Sequence, residues 1–205
     1  MGSDIRFSQL RNYYKQLVPS LTEEGWDFCS KYLSARTLKK GEFLVREGDV
    51  CRNISFVNMG LLRMYHLVDG KEKIVYFSNE NNYVADYRSF LLQEPSLTFI
   101  DVLEDTEVVD TNYEGLQEIY AKIPEANLIG RRIAEGLFID MCIRSTQDAH
   151  ETFEQRYYTL IDQYPWLLQR VPQYMIASYL GITPQALSRI KGRARNTAKS
   201  LTSVY

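Results

Sequence analysis

The spacing of apolar residues changes character twice along the 205-residue chain. In residues 1–35 apolar side chains recur every three or four positions, which predicts helical structure interrupted at Pro19. From Thr37 to Thr111 short runs rich in Val, Ile, Phe and Tyr are separated by glycines, a pattern typical of short strands. After residue 114 the helical period returns. This order of segments predicts an α+β protein whose strands lie between two helical parts.

The clearest local signal among the strands is the segment LLRMYHLVDGKEKIVYFS, residues 61–78. Asp69 and Gly70 can both take the positive φ angles of a two-residue turn, so the segment predicts a β-hairpin. Many short strands with evenly spaced turns suggest a sandwich or a jelly-roll barrel.

A long helix is predicted for residues 124–149, beginning at Pro124. Four apolar residues stand one turn apart on one stripe of this helix: Ile129, Ile133, Leu137 and Met141. Such a stripe is usually a face that packs into the core of its own chain. Because a helix that leaves a barrel must bury the stripe against something, a second copy of the same helix is the alternative.

The segment QYMIASYLGITPQALSRIKGRAR, residues 173–195, has the spacing of a helix-turn-helix. Counting from Gln173, a small residue (Ala177) is fifth, a glycine (Gly181) is ninth and Leu187 is fifteenth. The small residue lets two helices approach closely, and the glycine supplies a positive φ angle at the turn. Thr183 is a good N-cap, so the second helix is expected to begin at the proline that follows it.

The second of these helices places polar residues on one face and apolar residues on the other. Gln185, Ser188 and Arg189 share the polar face, and these three side chains can contact base edges in a major groove. Nearby residues are expected to contact phosphates or to cap the helix: Thr183, Lys191, Arg193, Arg195 and Lys199. The alternative is a helix pair used only for packing or for protein contacts.

Charge is distributed unevenly, although the net charge of the chain is only −2. Residues 150–205 contain seven Lys or Arg and three acidic residues, a net charge of +4, which leaves −6 on residues 1–149. No acidic residue follows Asp162. This asymmetry favours contact between the C-terminal part and a polyanion, with a solvated basic tail as the alternative.

The arrangement resembles the Crp/Fnr superfamily of bacterial transcription regulators. The resemblance depends on KKGEFLVREGD and NISFVNMGLLRMYHLVDGKEKIVYFSNENNYVAD in the strand-rich part, and on ASYLGITPQALSRI near the end. It implies a cyclic-nucleotide-binding-like jelly-roll barrel with N-terminal helices over residues 1–123, a dimerisation helix over 124–149 and a helix-turn-helix domain over 150–205. It also implies a homodimer, a near-palindromic site in double-stranded DNA, RNA polymerase as a candidate partner and a small-molecule effector.

Members of the superfamily that bind cyclic nucleotides carry Gly-Glu, followed about ten residues later by Arg-Ser or Arg-Thr, whose arginine pairs with the phosphate. Here Ala85-Asp86 occupies the first place, and Pro95-Ser96 or Ser96-Leu97 occupies the second. Residues 89–105 contain no Lys or Arg. We therefore do not expect cyclic AMP as the ligand, and the effector stays unidentified. The candidate effector pocket is Ala85, Asp86, Arg88, Ser96 and Thr98, with Arg88 expected at the surface or in a structural role.

The residues also argue against other classes of protein. The cysteines, Cys29, Cys51 and Cys142, cannot supply an iron-sulfur cluster, and we expect each to be a buried structural thiol. A metal-dependent barrel enzyme needs converging histidines, but only His66 and His150 exist. We expect no metal, no cofactor and no catalysis.

The remaining expectations concern location and wider role. The chain shows no membrane-spanning run and no signal peptide, so we expect a cytoplasmic protein. No β-hairpin wing is recognisable after the second helix of the helix-turn-helix. A sensory module that binds a ligand or a protein without contacting DNA is the functional alternative.

Overall fold

The computed structural model describes residues 5–202, with the side chains of residues 5–193. A short 3-10 turn over Ile5–Phe7 leads into the first helix. The α-helices are α1 (Ser8–Leu17), α2 (Glu23–Ser30), α3 (Tyr87–Leu92), α4 (Tyr113–Lys122), α5 (Pro124–His150), α6 (Phe153–Gln163), α7 (Leu167–Arg170), α8 (Gln173–Leu180) and α9 (Pro184–Thr202). The strands are β1 (Leu33–Leu38), β2 (Phe43–Val45), β3 (Asn53–Val68), β4 (Lys71–Ser78), β5 (Tyr83–Val84) and β6 (Phe99–Asn112).

The strands form one sheet in the order β1-β6-β3-β4, with β2 paired to β6 and β5 paired to β3. Strand β6 runs antiparallel to β1, β2 and β3, so the last strand of the segment pairs with its first three strands. The helical prediction for residues 1–35 is wrong at its end, where β1 begins at Leu33. Leu33 pairs with Thr111 of β6, a contact too distant in sequence for local periodicity to show.

The predicted hairpin is confirmed, since β3 and β4 are neighbours joined by Asp69 and Gly70. Both turn residues have positive φ angles, 51° and 73°. This is the backbone that a tight two-residue hairpin turn requires.

Apolar side chains from β1, β2, β3, β5, α3 and β6 fill the barrel. The cluster consists of Leu38, Val45, Cys51, Val57, Leu62, Val84, Phe90, Ile100, Val102 and Val108. Full burial of a side chain such as Phe90 contributes about 1.5–3 kcal/mol. The interior of the barrel is therefore a packed core.

The opposite face of β3 and β6 is also covered. Phe56 precedes the barrel residue Val57, and Val109 follows the barrel residue Val108. Because successive side chains of a strand point to opposite faces, Phe56 and Val109 point to the other side of the sheet. There they pack with apolar residues of the helical segments: Leu10, Val18, Leu21, Trp26 and Ile129. The N-terminal helices and the start of α5 thus form a second core on the outside of the barrel.

The chain divides into two compact units. One unit comprises residues up to Leu67 together with Val75–Phe138, and the other comprises Val68–Ile74 together with residues from Ile139 onward. The division falls within α5. In the second unit, the Ile74 amide donates to Ser178 Oγ at 3.1 Å, and the same hydroxyl donates to the carbonyl of Glu72 at 2.9 Å.

None of the helices in the described range is both long enough and apolar enough to cross a bilayer.

Candidate nucleic-acid interface and barrel site

Helices α8 and α9 are joined by a turn that depends on Gly181. This glycine ends α8 with a φ angle of 71°, and the amide of Ile182 bonds back to the carbonyl of Ala177 at 3.0 Å. Thr183 then begins the next helix, because its hydroxyl accepts a hydrogen bond from the Ala186 amide at 3.2 Å. Three residues therefore turn the chain from one helix into the other.

Apolar residues of both helices are buried where α8 and α9 pack together. Ala177 is 0% exposed, and its small side chain allows α9 to approach α8 closely. Leu187 is 1% exposed and Ile190 is 7% exposed, so both are held in this core. Other apolar residues of α6 to α8 and their connections are buried as well: Tyr157, Leu160, Leu167, Val171, Met175, Ile176 and Leu180.

Burial of Leu187 and Ile190 fixes the rotation of α9 and leaves its polar face outward. Gln185, Ser188 and Arg189 are all exposed, as is Gly192 beside them. The three residues that the sequence singles out as base-contacting candidates thus occupy one continuous solvent-facing surface.

The candidate phosphate-contacting residues have different surroundings. Thr183 caps α9, and Lys191 is half-buried. Arg193 lies 3.3 Å from the carboxylate of Glu154 in α6; the Arg193 side chain is exposed, whereas that of Glu154 is half-buried. The side chains of Arg195 and Lys199 lie outside the described residues, although the backbone of α9 continues through both positions to Thr202.

The predicted stripe of α5 divides into a buried half and an exposed half. Ile129 is 2% exposed and Ile133 packs against the outer core of the barrel unit, whereas Leu137 is half-buried. Met141 is 69% exposed, and Phe138 beside it is 67% exposed. The second half of α5 therefore presents large apolar side chains to solvent.

Within the barrel, Asp86 gathers three of the candidate effector residues into one hydrogen-bonded cluster. Ser96 Oγ donates to Asp86 Oδ2 at 2.6 Å, and Thr98 Oγ1 lies 3.3 Å from the same oxygen. The amide of Ser89 donates to Asp86 Oδ1 at 3.1 Å, which caps α3. Both carboxylate oxygens are occupied by groups of the chain itself.

These bonds determine the ionisation of Asp86. Burial alone would raise the pKa of its carboxyl group, but the hydrogen bonds from Ser96, the Ser89 amide and Thr98 outweigh burial and lower it. Asp86 is therefore a carboxylate at neutral pH, stabilised by neutral donors.

The other two candidate effector residues do not join this cluster. Arg88 is exposed and pairs with Glu94 at 2.7 Å, as expected of a surface residue. Ala85 is half-buried against the barrel core. Sequence reasoning missed Ser89, whose hydroxyl accepts from the Cys51 amide at 2.9 Å and donates to the Glu94 carbonyl. The Asp-x-x-Ser spacing of a helix cap was the available signal.

The cysteines are separate thiols. Burial raises the pKa of Cys29 and of Cys51 to about 11, so both are protonated at neutral pH. The expectation that Cys142 is buried is wrong, because it lies on the exposed half of α5. Within residues 5–193, no three His, Cys, Asp or Glu side chains are grouped as metal ligands would be.

Known proteins match this chain in sequence and in fold. The family model of the cyclic nucleotide-binding domain matches residues 35–122. The transcriptional activator protein Anr of Pseudomonas aeruginosa is 27% identical over 185 residues, covering 83% of this chain and 75% of that protein. FixK2 of Bradyrhizobium japonicum superposes with a TM-score of 0.69 at 15% identity, covering 81% of this chain and 86% of that one. A structure from Eubacterium rectale assigned to the crp/fnr family gives 0.66 at 18% identity, covering 86% and 85%.

The strand-rich part of the chain is thus a cyclic nucleotide-binding domain in sequence and in fold. Over most of its length the chain is similar to the transcriptional activator Anr, and its fold is that of FixK2 and of the Eubacterium rectale structure.

Proposed function

We propose that the protein is a dimeric, sequence-specific DNA-binding transcription regulator that does not respond to cyclic AMP. The observation that carries the proposal is the outward polar face of α9, set by the buried Leu187 and Ile190. Regulation of transcription is the role named for the relative Anr.

The chemistry of this face suits a major groove. Arginine can bond the two acceptors of guanine, glutamine can bond adenine at two positions, and serine can contact a base or a phosphate. Gln185, Ser188 and Arg189 provide these groups on successive turns. Sequence preference would come from these three residues, and the cations near the end of α9 would add salt-dependent affinity.

The exposed half of α5 supports a dimer. Phe138 and Met141 expose large apolar surfaces that a parallel copy of the same helix would cover. A twofold dimer would present two α9 helices to two half-sites about one helical turn apart.

The barrel cluster argues against cyclic AMP. A buried cyclic phosphate needs a nearby cation, but residues 89–105 contain no Lys or Arg, and the hydroxyl groups of Ser96 and Thr98 are bonded to Asp86. Arg88, close in sequence, is directed to Glu94 at the surface.

A selection from a random duplex library tests the DNA proposal. The unmodified protein should recover a two-part near-palindrome, because a dimer repeats its contacts. Arg189→Ala should relax the preference at one position per half-site, whereas Lys191→Ala should weaken all sequences about equally and reduce the salt dependence of binding.

Two results would contradict the proposal. If both variants changed the selected sequence in the same way, the assignment of the base-contacting face would be wrong. Recovery of no preferred sequence at low salt would instead favour a sensory module that binds no DNA.

The same proposal assigns no catalytic role. His66 bonds through Nδ1 to the carbonyl of Leu97 at 3.0 Å, and His150 ends α5. RNA polymerase is a proposed partner because the protein is homologous to a transcriptional activator.

A further inference from the structure

A cavity of about 360 Å³ opens beside β1, β2 and the start of β3, within the barrel unit. Six of its lining residues matter for its chemistry: Arg36, Asp49, Cys51, Arg52, Asn53 and Ser55. None of the predicted effector residues lines it. The cavity adjoins the Asp86 cluster, since the amide of Cys51 bonds to Ser89.

Arg36 is oriented in this cavity by a buried carboxylate. Its Nε donates to Asp110 Oδ2 at 2.5 Å, and Ser55 Oγ donates to the other oxygen of the same residue. Asp110 is only 4% exposed, so the pair fixes one edge of the Arg36 guanidinium. Within the described part of the chain the Nη atoms of Arg36 donate to no acceptor.

Arg52 is held at the same cavity by its backbone. Its carbonyl accepts a hydrogen bond from the amide of Tyr113, the first residue of α4, at 3.3 Å. The Arg52 side chain is exposed, and among the described residues it makes no hydrogen bond or ion pair. The amino end of the ten-residue helix α4 adds a partial positive charge nearby.

These groups favour an anion with a polar body. Two guanidinium groups with unused N–H donors can bind phosphate or carboxylate oxygens in the bidentate geometry that arginine prefers. Asp49 is the one acidic residue that lines the cavity, and it is exposed, so it can accept hydrogen bonds from hydroxyl groups. The volume admits a molecule of the size of a sugar phosphate or a tricarboxylate.

We propose that this cavity binds a small polar metabolite through a phosphate or carboxylate group held by Arg36 and Arg52. The site is distinct from the Asp86 cluster, whose donors and acceptors are already paired with each other. The cations of this site are Arg36 and Arg52, so the barrel can bind an anion although residues 89–105 contain no Lys or Arg. This proposal does not depend on DNA binding, and the experiment that tests it uses no DNA.

The test compares thermal unfolding of the full chain in orthophosphate, in citrate and in chloride, at matched pH and ionic strength. Low millimolar concentrations are used because higher ones stabilise proteins generally. At least one of the two anions should raise the Tm of the unmodified protein above that in chloride, in a saturable manner. The anion with the larger effect identifies the bound group as phosphate or carboxylate.

Variants locate the binding. Arg52→Gln should weaken the apparent anion affinity by roughly tenfold or more, the loss expected for a charge-assisted hydrogen bond. Arg88→Gln removes an exposed arginine of the same unit and should leave the affinity unchanged. Arg36→Lys keeps a cation beside Asp110 for folding but loses the planar fork, so it should also weaken binding.

Clear results would overturn the proposal. One is the absence of any Tm rise specific to phosphate or citrate in the unmodified protein. Another is an equal rise in the unmodified protein and in Arg52→Gln, which would place the anion elsewhere.

Discussion

Asp86 is the centre of a buried hydrogen-bonded cluster in the barrel. Its carboxylate caps α3 and bonds to Ser96 and Thr98, so three polar groups satisfy each other in the core. Each such bond to a charged group contributes about 1.5–3 kcal/mol. The cluster therefore stabilises the turn from β5 into α3 and leaves no group unpaired for a phosphate.

The pKa of Asp86 predicts a pH dependence of stability. Because its folded-state pKa is lowered, its stabilisation is present above the unfolded value, about 4, and is lost as pH falls through the folded value. Asp86→Asn should lower the free energy of unfolding by about 1–3 kcal/mol at pH 7, and the difference from the unmodified protein should shrink toward pH 3. Urea unfolding at both pH values measures this.

Asp27→Asn is the matched control, since Asp27 is an exposed carboxylate on α2. It should change stability little at either pH. A constant difference between Asp86→Asn and the unmodified protein from pH 7 to pH 3 would show that the lost contacts do not depend on ionisation.

For single residues, the sequence shows which chemical groups are present but not which other residues they contact. Asp86, Ser96 and Thr98 were grouped as one candidate site because they lie where the cyclic-nucleotide-binding members of the resembled family carry Gly-Glu and Arg-Ser. Arg36 and Arg52 gave no such signal, because their common cavity forms only when β1 and the start of β3 both pair with β6. The burial of Cys142 was wrongly expected, since an apolar segment does not show which face of a helix is covered.

Among the elements, α5 has the most uneven environment. Its first turns are anchored by Ile129 in the outer core, while Phe138 and Met141 lie exposed further along. An isolated helix with such a surface is prone to association. The first turns of α5 thus pack within their own chain, whereas its second half is a candidate interface with a second copy of the chain.

A charge on this interface should prevent dimerisation. Phe138→Glu would place a carboxylate in the apolar contact, so sedimentation should show a monomer with an unchanged helical circular dichroism signal. Gln147→Glu adds the same charge roughly on the opposite side of the helix and should leave the dimer intact. A dimeric Phe138→Glu protein would place the interface elsewhere.

The sequence predicted helices and strands correctly where an apolar pattern was long, as in α5. It also predicted the hairpin correctly, because Asp69 and Gly70 are residues that a tight turn favours. The helical prediction was wrong at β1, where Leu33 belongs to a strand because it pairs with β6. The spacing of Ala177, Gly181 and Leu187 predicted two packed helices because each residue has a separate geometric role at the turn. Continuation of α9 to Thr202 was not predicted, since residues 195–202 carry little apolar pattern.

For the molecule as a whole, the order of helical and strand-rich segments predicted the fold class. Periodicity could not show how the chain divides into compact units, because that depends on contacts between distant residues.

The response to nucleotides is a property of the whole protein. The DNA affinity measured by fluorescence anisotropy should be the same with and without millimolar cyclic AMP, and calorimetric titration should show no saturable binding. The physical reason is the absence of Lys and Arg from residues 89–105, which leaves a buried phosphate at this place without a cation. A DNA affinity that increases with cyclic AMP would mean that another cation replaces the missing one.

The hydrogen bonds of Ser178 to residues 72 and 74 span more than a hundred positions of sequence, a separation of 104 residues for Ile74. During synthesis the hairpin tip therefore leaves the ribosome long before its partner helix exists. The second compact unit cannot be completed until α8 has emerged, and a fragment that begins at Ile139 would lack part of its own structure. Dissection of this protein at α5 should yield a C-terminal piece that is less stable than the same residues in the intact chain.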